Sequence, residues 1–243
     1  MKVPSAPRCA TARRAPASGR SNTATNPGPT RKVITRRTAR VIGLFSSVKM
    51  ERQVAWESQL EFDHLRLMEV DNAVVAFHAQ PEECPYVHQG KPRRYYPDLR
   101  VELADGSVRM VEVKYKADAD APENKERFVI IKALYAERGI SFEVVTELDI
   151  RRQPRLANAK LMLDYRDYDP SESLNLRVAE AFAVRRPVTL GDLEAALGFP
   201  TERRGELYAM ALRGHFGIDL ENAPLSADSL IQGCVLRPSR GEQ

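Results

Sequence analysis

Three residues that could carry chemistry lie close together in the stretch YYPDLRVELADGSVRMVEVKYK, residues 95–116. A turn signal at Asp105-Gly106 separates Asp98 from Glu112 and Lys114, so the stretch predicts two antiparallel strands joined by a hairpin. Carboxylates on neighbouring strands can meet at about 5 Å, a distance at which they can share one cation. Lys114 is on the same strand face as Glu112, where its ammonium could hold or polarise a water molecule. This set of groups is typical of metal-dependent hydrolysis of phosphodiesters.

A divalent cation assists such hydrolysis because it screens the phosphate oxygens and lowers the pKa of a bound water. Mg²⁺ (or Mn²⁺) prefers hard oxygen ligands and keeps several of its waters, so one or two carboxylates per ion suffice. We expect Asp98 and Glu112 to bind the cation, with the carbonyl of Val113 as a further ligand. A carboxylate from the first predicted helix would complete a two-ion site, and Glu61 and Glu57 are both candidates.

The register of the hairpin decides whether Asp98 and Glu112 share a face. A two-residue turn at Asp105-Gly106 would pair Asp98 with Val113 and separate the two carboxylates. A three-residue loop with a left-handed Gly106 would pair Asp98 with Glu112. The apolar alternation favours the two-residue turn, so we expect a bulge or bend just after Asp98 to restore the shared face.

The elements that must position these residues follow from the apolar spacing. A first helix is predicted from about Ala55 to Val70. A second helix is predicted to start at a capping box on Asp120 and to end at Arg138, before Gly139. The alternation of helices and strands predicts an α/β fold with a mixed sheet flanked by helices. Strands are predicted over residues 73–78, 84–88, 95–103, 107–115 and 140–146.

Beyond Thr146 the pattern becomes helical. A second capping box is predicted at Thr189, with Asp192 as its acidic partner. The last helices and the segment Leu225–Ile231 together predict a C-terminal winged-helix-like module. Helices are predicted near residues 148–151, 156–163, 171–184, 190–197 and 202–216.

The charge distribution favours an anionic partner. The formal net charge is +4, but residues 1–50 hold eleven Lys or Arg and no acid, whereas the remainder holds 26 basic and 33 acidic residues. A basic arm on a mildly acidic body suggests nucleic acid, and a solvated tail is the alternative. A membrane span and a secretory signal are not expected. Cys9, Cys84 and Cys234 lie far apart, so a reduced cytoplasmic setting fits best.

The spacing of the candidate residues resembles that of a known nuclease family. Pro97-Asp98, thirteen intervening residues and then Glu112-Val113-Lys114 are similar to the PD-(D/E)xK motif of restriction-enzyme-like folds. The likeness is greater to TnsA, the endonuclease subunit of heteromeric bacterial transposases, and it covers about Arg36 to Ile150. In that family the Glu of a Ser-x-x-Glu helix motif joins the active site, which favours Glu61, three residues after Ser58, over Glu57.

This resemblance implies a restriction-endonuclease-like fold with Glu61, Asp98, Glu112 and Lys114 as catalytic residues. It also implies Mg²⁺-dependent cleavage of double-stranded DNA at transposon ends, in the bacterial cytoplasm, on the strand that the partner transposase does not join. The implied partners are a TnsB-like recombinase and a TnsC-like ATPase regulator. The expected domains are a disordered basic arm (1–35), a PD-(D/E)xK endonuclease domain (36–166) and a winged-helix-like partner-binding domain (167–243).

Several other residues have both a functional and a structural interpretation. Gln80 could support the site by a hydrogen bond from behind it, or could simply end a strand. Tyr95 and Tyr96 could grip DNA or pack against the sheet. The candidate DNA contacts are Arg36, Arg37, Arg40, Arg93, Arg94 and Lys132. For Lys132 the alternative, a solvated helix face, is the favoured interpretation.

Two other functions are compatible with the same residues. The first is a standalone nuclease of the same fold in restriction, repair or phage defence, which dependence of cleavage on a recombinase would exclude. The second is a non-catalytic DNA-binding adaptor that keeps the fold, which loss of DNA processing on substitution of Lys114 would exclude.

Overall fold

A computed structural model of the protein describes residues 43–233. The expected basic arm, 1–35, and the candidate DNA contacts Arg36, Arg37 and Arg40 lie outside this range. No helix within it is both long and apolar enough to span a membrane. Its elements up to residue 145 are β1 (Gly43–Ser47), β2 (Arg52–Trp56), α1 (Gln59–Val70), β3 (Val74–Ala79), β4 (Cys84–His88), β5 (Lys91–Tyr95), β6 (Leu99–Leu103), β7 (Val108–Val113), α2 (Lys116–Ala119), α3 (Pro122–Ala136) and β8 (Ser141–Val145). The later elements are α4 (Glu147–Ile150), α5 (Arg155–Leu163), α6 (Glu172–Val184), α7 (Leu190–Leu197), a 3₁₀ turn (Thr201–Arg203), α8 (Arg204–Leu212), β9 (Gly217–Ile218) and β10 (Ile231–Gln232).

A four-stranded mixed sheet in the order β3-β6-β7-β8 forms the centre of the molecule. β6 pairs antiparallel with β3 and with β7, whereas β8 returns parallel to β7 after the crossover through α3. Two separate hairpins, β1–β2 and β4–β5, accompany the sheet. A mixed sheet flanked by helices is consistent with a restriction-endonuclease-like fold, as the sequence predicts.

Both faces of the central sheet are buried. Leu99, Val101 and Val111 belong to a large core that also contains the apolar residues of α1. Met110 and Phe142 belong to a second core, which α3 covers. Because β7 is covered on both sides, its residues from 110 to 113 are all buried, including one acid.

The loop between β6 and β7 sets the register that the sequence left open. The Leu103 amide donates to the Ser107 carbonyl at 2.9 Å, and Gly106 has a φ of +84°, so the loop has three residues. Leu99 faces Val111, and continuing this register places Asp98 opposite Glu112. The bulge expected after Asp98 is therefore wrong, and the bend lies at Asp98 itself, where β6 begins. Apolar alternation misled the prediction because a strand buried on both faces has no alternation to read.

The first helix begins later than the sequence predicts. Residues from Ala55 to Trp56 belong to β2, which pairs with β1. Ser58 then caps α1, since its hydroxyl accepts a hydrogen bond from the Glu61 amide. The predicted strand 95–103 is also divided, because the chain leaves β5 after Tyr95 and enters β6 only at Leu99.

The two predicted capping boxes have different outcomes. Thr189 and Asp192 form one at the start of α7, as expected. Asp120 does not cap α3, which has Ala121 as its N-cap without a side-chain hydrogen bond. Asp120 instead ends the unpredicted α2, as its C-cap, and forms ion pairs with Lys116 and Lys125.

The C-terminal helices pack directly on the endonuclease-like part. α1 contacts both α5 and α8, and one core joins residues as distant as Phe45, Leu156 and Leu207. Helices α6 to α8 are followed by the small β9–β10 pair, and Thr189 forms a bridge with Leu230. The winged-helix-like module and the division at residue 166 remain predictions.

Candidate active site

The first turn of α1 fixes the carboxylate of Glu61. The Ser58 hydroxyl donates to Glu61 Oε1 at 3.0 Å, and the Glu57 amide donates to Oε2 at 2.8 Å. This reciprocal cap holds a negative charge at the positive end of the helix dipole. Burial raises the pKa of Glu61 and outweighs these hydrogen bonds, and the charges of Glu57 and Glu112 add to the rise.

Asp98 lies at the bend where β6 begins, within reach of the other acids. Its Oδ2 accepts a hydrogen bond from the Val113 amide at 2.8 Å. Removal from water raises the pKa of Asp98 well above its usual range, and the charges of Glu112 and Glu61 raise it further. The Val113 amide and the Lys114 ammonium act in the opposite direction but are weaker. Burial and two neighbouring carboxylates therefore disfavour the ionised form of Asp98.

Glu112 is buried near the end of β7, with both carboxylate oxygens engaged. The Tyr95 hydroxyl donates to Oε2 at 2.5 Å, and the Lys114 ammonium lies 2.7 Å from Oε1. The side chain of Glu112 is only 6% exposed, whereas that of Lys114 is 29% exposed. Lys114 is thus the counter-ion of a buried acid, and it is the more exposed member of the pair.

A cavity of about 250 Å³ opens at this end of the sheet. Four carboxylates line it, those of Glu57, Glu61, Asp98 and Asp118, together with the single cation of Lys114. Glu112 lies behind this wall, joined to the cavity through Lys114. The predicted catalytic residues thus converge on one small, acid-rich cavity, although only three of the four face it directly.

The donor chemistry around the cavity fits Mg²⁺ or Mn²⁺. Within residues 43–233, no three carboxylate, imidazole or thiol side chains converge closely enough to hold a metal ion by themselves. A Mg²⁺ ion needs only one or two carboxylates, because it keeps several waters. Asp98 and Glu61 offer hard oxygen donors in one cavity, and burial, together with neighbouring carboxylates, raises the pKa of each.

Gln80 occupies a position behind the site. It is buried at the end of β3 in the left-handed region, with a φ of +44°, which a non-glycine residue seldom adopts. Its side-chain amide donates to Glu57 Oε1 at 3.0 Å, and its backbone amide donates to the Asp98 carbonyl at 2.9 Å. Gln80 therefore contacts two residues that line the cavity, which agrees with its interpretation as a supporting residue.

The candidate DNA contacts that the structure describes lie apart from the cavity lining. Arg93 and Arg94 are exposed on β5, in the β4–β5 hairpin, which we call the outer hairpin. Arg94 forms an ion pair at 3.4 Å with Glu83, the residue before β4. Lys132 lies on α3 beside a different groove, about 480 Å³ in volume, that runs between α3 and β8. Their role in DNA binding remains a prediction.

The sequence did not identify three residues as parts of the site. The sequence predicts only a gripping or packing role for Tyr95, and it predicts no role for Tyr115 or Asp118. Tyr115 directly follows Lys114, so its proximity could have been read from the motif. The hydrogen bond between Tyr95 and Glu112 had no sequence signal, because it depends on how the chain turns between β5 and β6.

Comparison with known proteins agrees with this geometry. Residues 71–147 match the family model described as "TnsA-like endonuclease N terminal". The matched segment runs from the end of α1 to the first residue of α4, and it includes Asp98, Glu112 and Lys114. No curated protein matches the chain.

Proposed function

Because the chain carries a TnsA-like endonuclease domain, a nuclease domain related to transposition, we propose that it is a metal-dependent DNA endonuclease. In this proposal it cuts one strand of double-stranded DNA at each transposon end during cut-and-paste transposition. It acts with a TnsB-like recombinase, under the control of a TnsC-like ATPase. The proposed partner-binding part is the C-terminal segment from residue 167, the predicted winged-helix-like domain.

One observation carries the proposal. The three-residue loop between β6 and β7 places Asp98 opposite Glu112, and Lys114 contacts Glu112 at 2.7 Å at the mouth of the acid-rich cavity. A folded protein gains little stability from carboxylates that are buried close to one another. A nuclease gains from them because they bind the cation that its substrate requires.

Asp98 and Glu112 would hold Mg²⁺ or Mn²⁺, with Glu61 and the Val113 carbonyl as further ligands. When bound, the ion screens the phosphate oxygens and lowers the pKa of a water. Lys114 holds the carboxylate of Glu112 and extends into the cavity, where it can orient the attacking water. The cap on α1 keeps Glu61 directed at the same point, so the residues need little rearrangement to react.

Contacts outside the cavity would position the duplex. The basic N-terminal segment supplies a large positive charge, and such contacts make binding depend on salt concentration. The residues proposed for this role are Arg36, Arg37, Arg40, Arg93, Arg94 and Lys132.

The test is strand-specific cleavage by the full chain. A DNA duplex that carries an end of the transposon encoding this protein is labelled on each strand. It is incubated with the full chain and Mg²⁺, with and without the recombinase of the same transposon. We expect one strand to be cut, only when the recombinase is present. Asp98→Asn and Lys114→Ala should each lower the rate about a hundredfold or more, since each removes several kcal/mol of transition-state stabilisation.

A matched control is Glu123→Gln, which changes an exposed acid in the first turn of α3. It should cut at the wild-type rate. Cleavage without any recombinase would favour the standalone nuclease instead. DNA processing that is unchanged by Lys114→Ala would favour the non-catalytic adaptor.

A further inference from the structure

A group of three cations surrounds one buried carboxylate beside the cavity. Asp63 lies on α1, and its side chain is only 9% exposed. Arg66 contacts its Oδ1 at 2.8 Å, Arg151 contacts its Oδ2 at 3.0 Å, and Lys160 lies 3.5 Å from Oδ1. We name these four residues the Asp63 cluster. One carboxylate neutralises one of the three cations, so the cluster carries a net charge of about +2.

Tyr115 connects the Asp63 cluster to the cavity. The Arg151 guanidinium lies 5.9 Å from the centroid of the Tyr115 ring, and Tyr115 lines the cavity directly after Lys114. The Tyr115 ring is itself 44% exposed. Tyr115 therefore joins the Arg151 guanidinium, and through Asp63 the Lys160 ammonium, to the acid-lined cavity.

The cations of the cluster are not equivalent. Arg66 lies over the Phe62 ring, 3.8 Å from its centroid, so its guanidinium is used in packing. The side chains of Arg151 and Lys160 are 39% and 46% exposed. Asp63 orients these two without neutralising both, which leaves hydrogen-bond donors directed at solvent. Such donors suit a phosphate, because an arginine fork and an ammonium both bind its oxygens.

We propose that Arg151 and Lys160, oriented by Asp63, bind the phosphate of the nucleotide next to the scissile bond, and that Tyr115 stacks on that nucleotide. The ligand is a polynucleotide strand, and the inference rests on the proposed endonuclease function. The physical reason for such a site is electrostatic. A cavity lined by acids repels DNA, and a net positive site at its edge offsets that repulsion and fixes which phosphodiester enters.

The test measures DNA binding and cleavage separately. Binding of the full chain to a labelled transposon-end duplex is measured at several salt concentrations. Ca²⁺ replaces Mg²⁺, because it commonly supports binding without hydrolysis. The double variant Arg151→Gln/Lys160→Gln should bind about tenfold more weakly. The slope of log affinity against log salt concentration should become shallower by the amount expected for about two phosphate contacts. Ethylation of single phosphates should interfere with wild-type binding at the phosphate beside the cut, and this interference should vanish in the double variant.

Arg66→Gln is the matched control, since it removes a cation from the same carboxylate, but one whose guanidinium packs over the Phe62 ring. It should keep the wild-type affinity and interference pattern. If the double variant does not fold, Lys160→Gln alone gives the same readout, with a loss of about one contact.

Three results would overturn the inference: wild-type affinity in the folded variants, an unchanged interference pattern, or no DNA binding by the wild type. Binding that depends on Arg151 and Lys160, without cleavage in Mg²⁺ and recombinase, would support phosphate binding by these two residues while contradicting the proposed nuclease.

Discussion

The hydroxyl of Tyr95 donates a hydrogen bond to Glu112 Oε2 at 2.5 Å, from a ring buried beneath the sheet. The ring packs edge-on against Phe142, 6.0 Å away, so its position is fixed by the second core. Burial and the neighbouring negative charge of Glu112 raise the pKa of Tyr95 far above its usual range, so the phenol keeps its proton. Tyr95 thus orients a carboxylate that the sequence identified, through a contact that the sequence did not.

Removing that hydroxyl should weaken the site without unfolding the protein. Tyr95→Phe keeps the ring and its packing but releases one oxygen of Glu112. Because residues that orient a metal-binding carboxylate affect metal affinity about 10–100-fold, we expect weaker Mn²⁺ binding by calorimetry. The cleavage rate should fall in proportion.

Tyr96→Phe is the control for this change, since the Tyr96 hydroxyl contacts Glu83 on the outer hairpin. It should leave Mn²⁺ affinity unchanged. Equal affinities for Tyr95→Phe and the wild type would mean that Tyr95 does not orient Glu112 in the metal-bound state.

Asp98→Asn should make the protein more stable and inactive. The raised pKa of Asp98 means that its ionised form is disfavoured in the folded protein, so at neutral pH the carboxylate destabilises the fold. Asparagine removes the charge and keeps an oxygen that can accept from the Val113 amide. We expect a gain of about 0.5–2 kcal/mol in the free energy of unfolding, as in other trades of function for stability.

Thermal unfolding with and without Mn²⁺ would measure this trade. Mn²⁺ should raise the unfolding temperature of the wild type, because a ligand that binds only the folded state stabilises it. It should have no effect on Asp98→Asn. A less stable Asp98→Asn protein would show that the carboxylate contributes to folding rather than to function.

His64 should make stability depend on pH. It is buried in α1, and neither ring nitrogen has a hydrogen-bond partner among residues 43–233. Burial, then the charges of Arg155 and Arg109, lower its pKa from 6.5 to about 4. The folded state therefore disfavours the proton that the unfolded chain takes up as pH falls through 6.5. Stability should be full above pH 6.5 and decline between pH 6.5 and 4, by about 2 kcal/mol at pH 5.

Urea unfolding at pH 7.5 and pH 5 would measure this decline. His64→Leu removes the titrating group. The free energy of unfolding of this variant should therefore differ less between pH 7.5 and pH 5 than that of the wild type, by the part that His64 contributes. His88→Gln, on the outer hairpin, should retain it. A wild-type slope that persists in His64→Leu would assign the decline to other groups.

Strand periodicity and turn signals were enough to predict which residues lie near one another, but not the register that brings them together. Lys114 follows Glu112 by two residues at the end of β7, so their contact could be expected from the sequence. The register that places Asp98 opposite Glu112 did not follow from the sequence. β7 is buried on both faces, so its apolar residues do not indicate which face of the sheet each side chain occupies. The Asp63 cluster was also beyond sequence reasoning, since Arg151 is 88 residues away from Asp63 along the chain.

Asn158 should hold the segment after β9 against α5. Its side-chain amide donates to the Leu220 and Ala223 carbonyls at 3.0 and 2.8 Å, and its Oδ1 accepts from the Leu225 amide at 3.0 Å. The side chain is buried, so Asn158→Ala would leave three backbone groups without partners. We expect a loss of about 2–4 kcal/mol in the free energy of unfolding.

Asn175→Ala is the matched control, because Asn175 lies on α6 and its Oδ1 has no hydrogen-bond partner in the described part of the chain. It should change the free energy of unfolding by less than about 0.5 kcal/mol. Hydrogen exchange should separate local from global effects. Faster exchange confined to residues 217–232 in Asn158→Ala would show that this side chain holds the segment, because those amides would open without global unfolding. Equal losses in the two alanine variants, with no local change in exchange, would contradict that role.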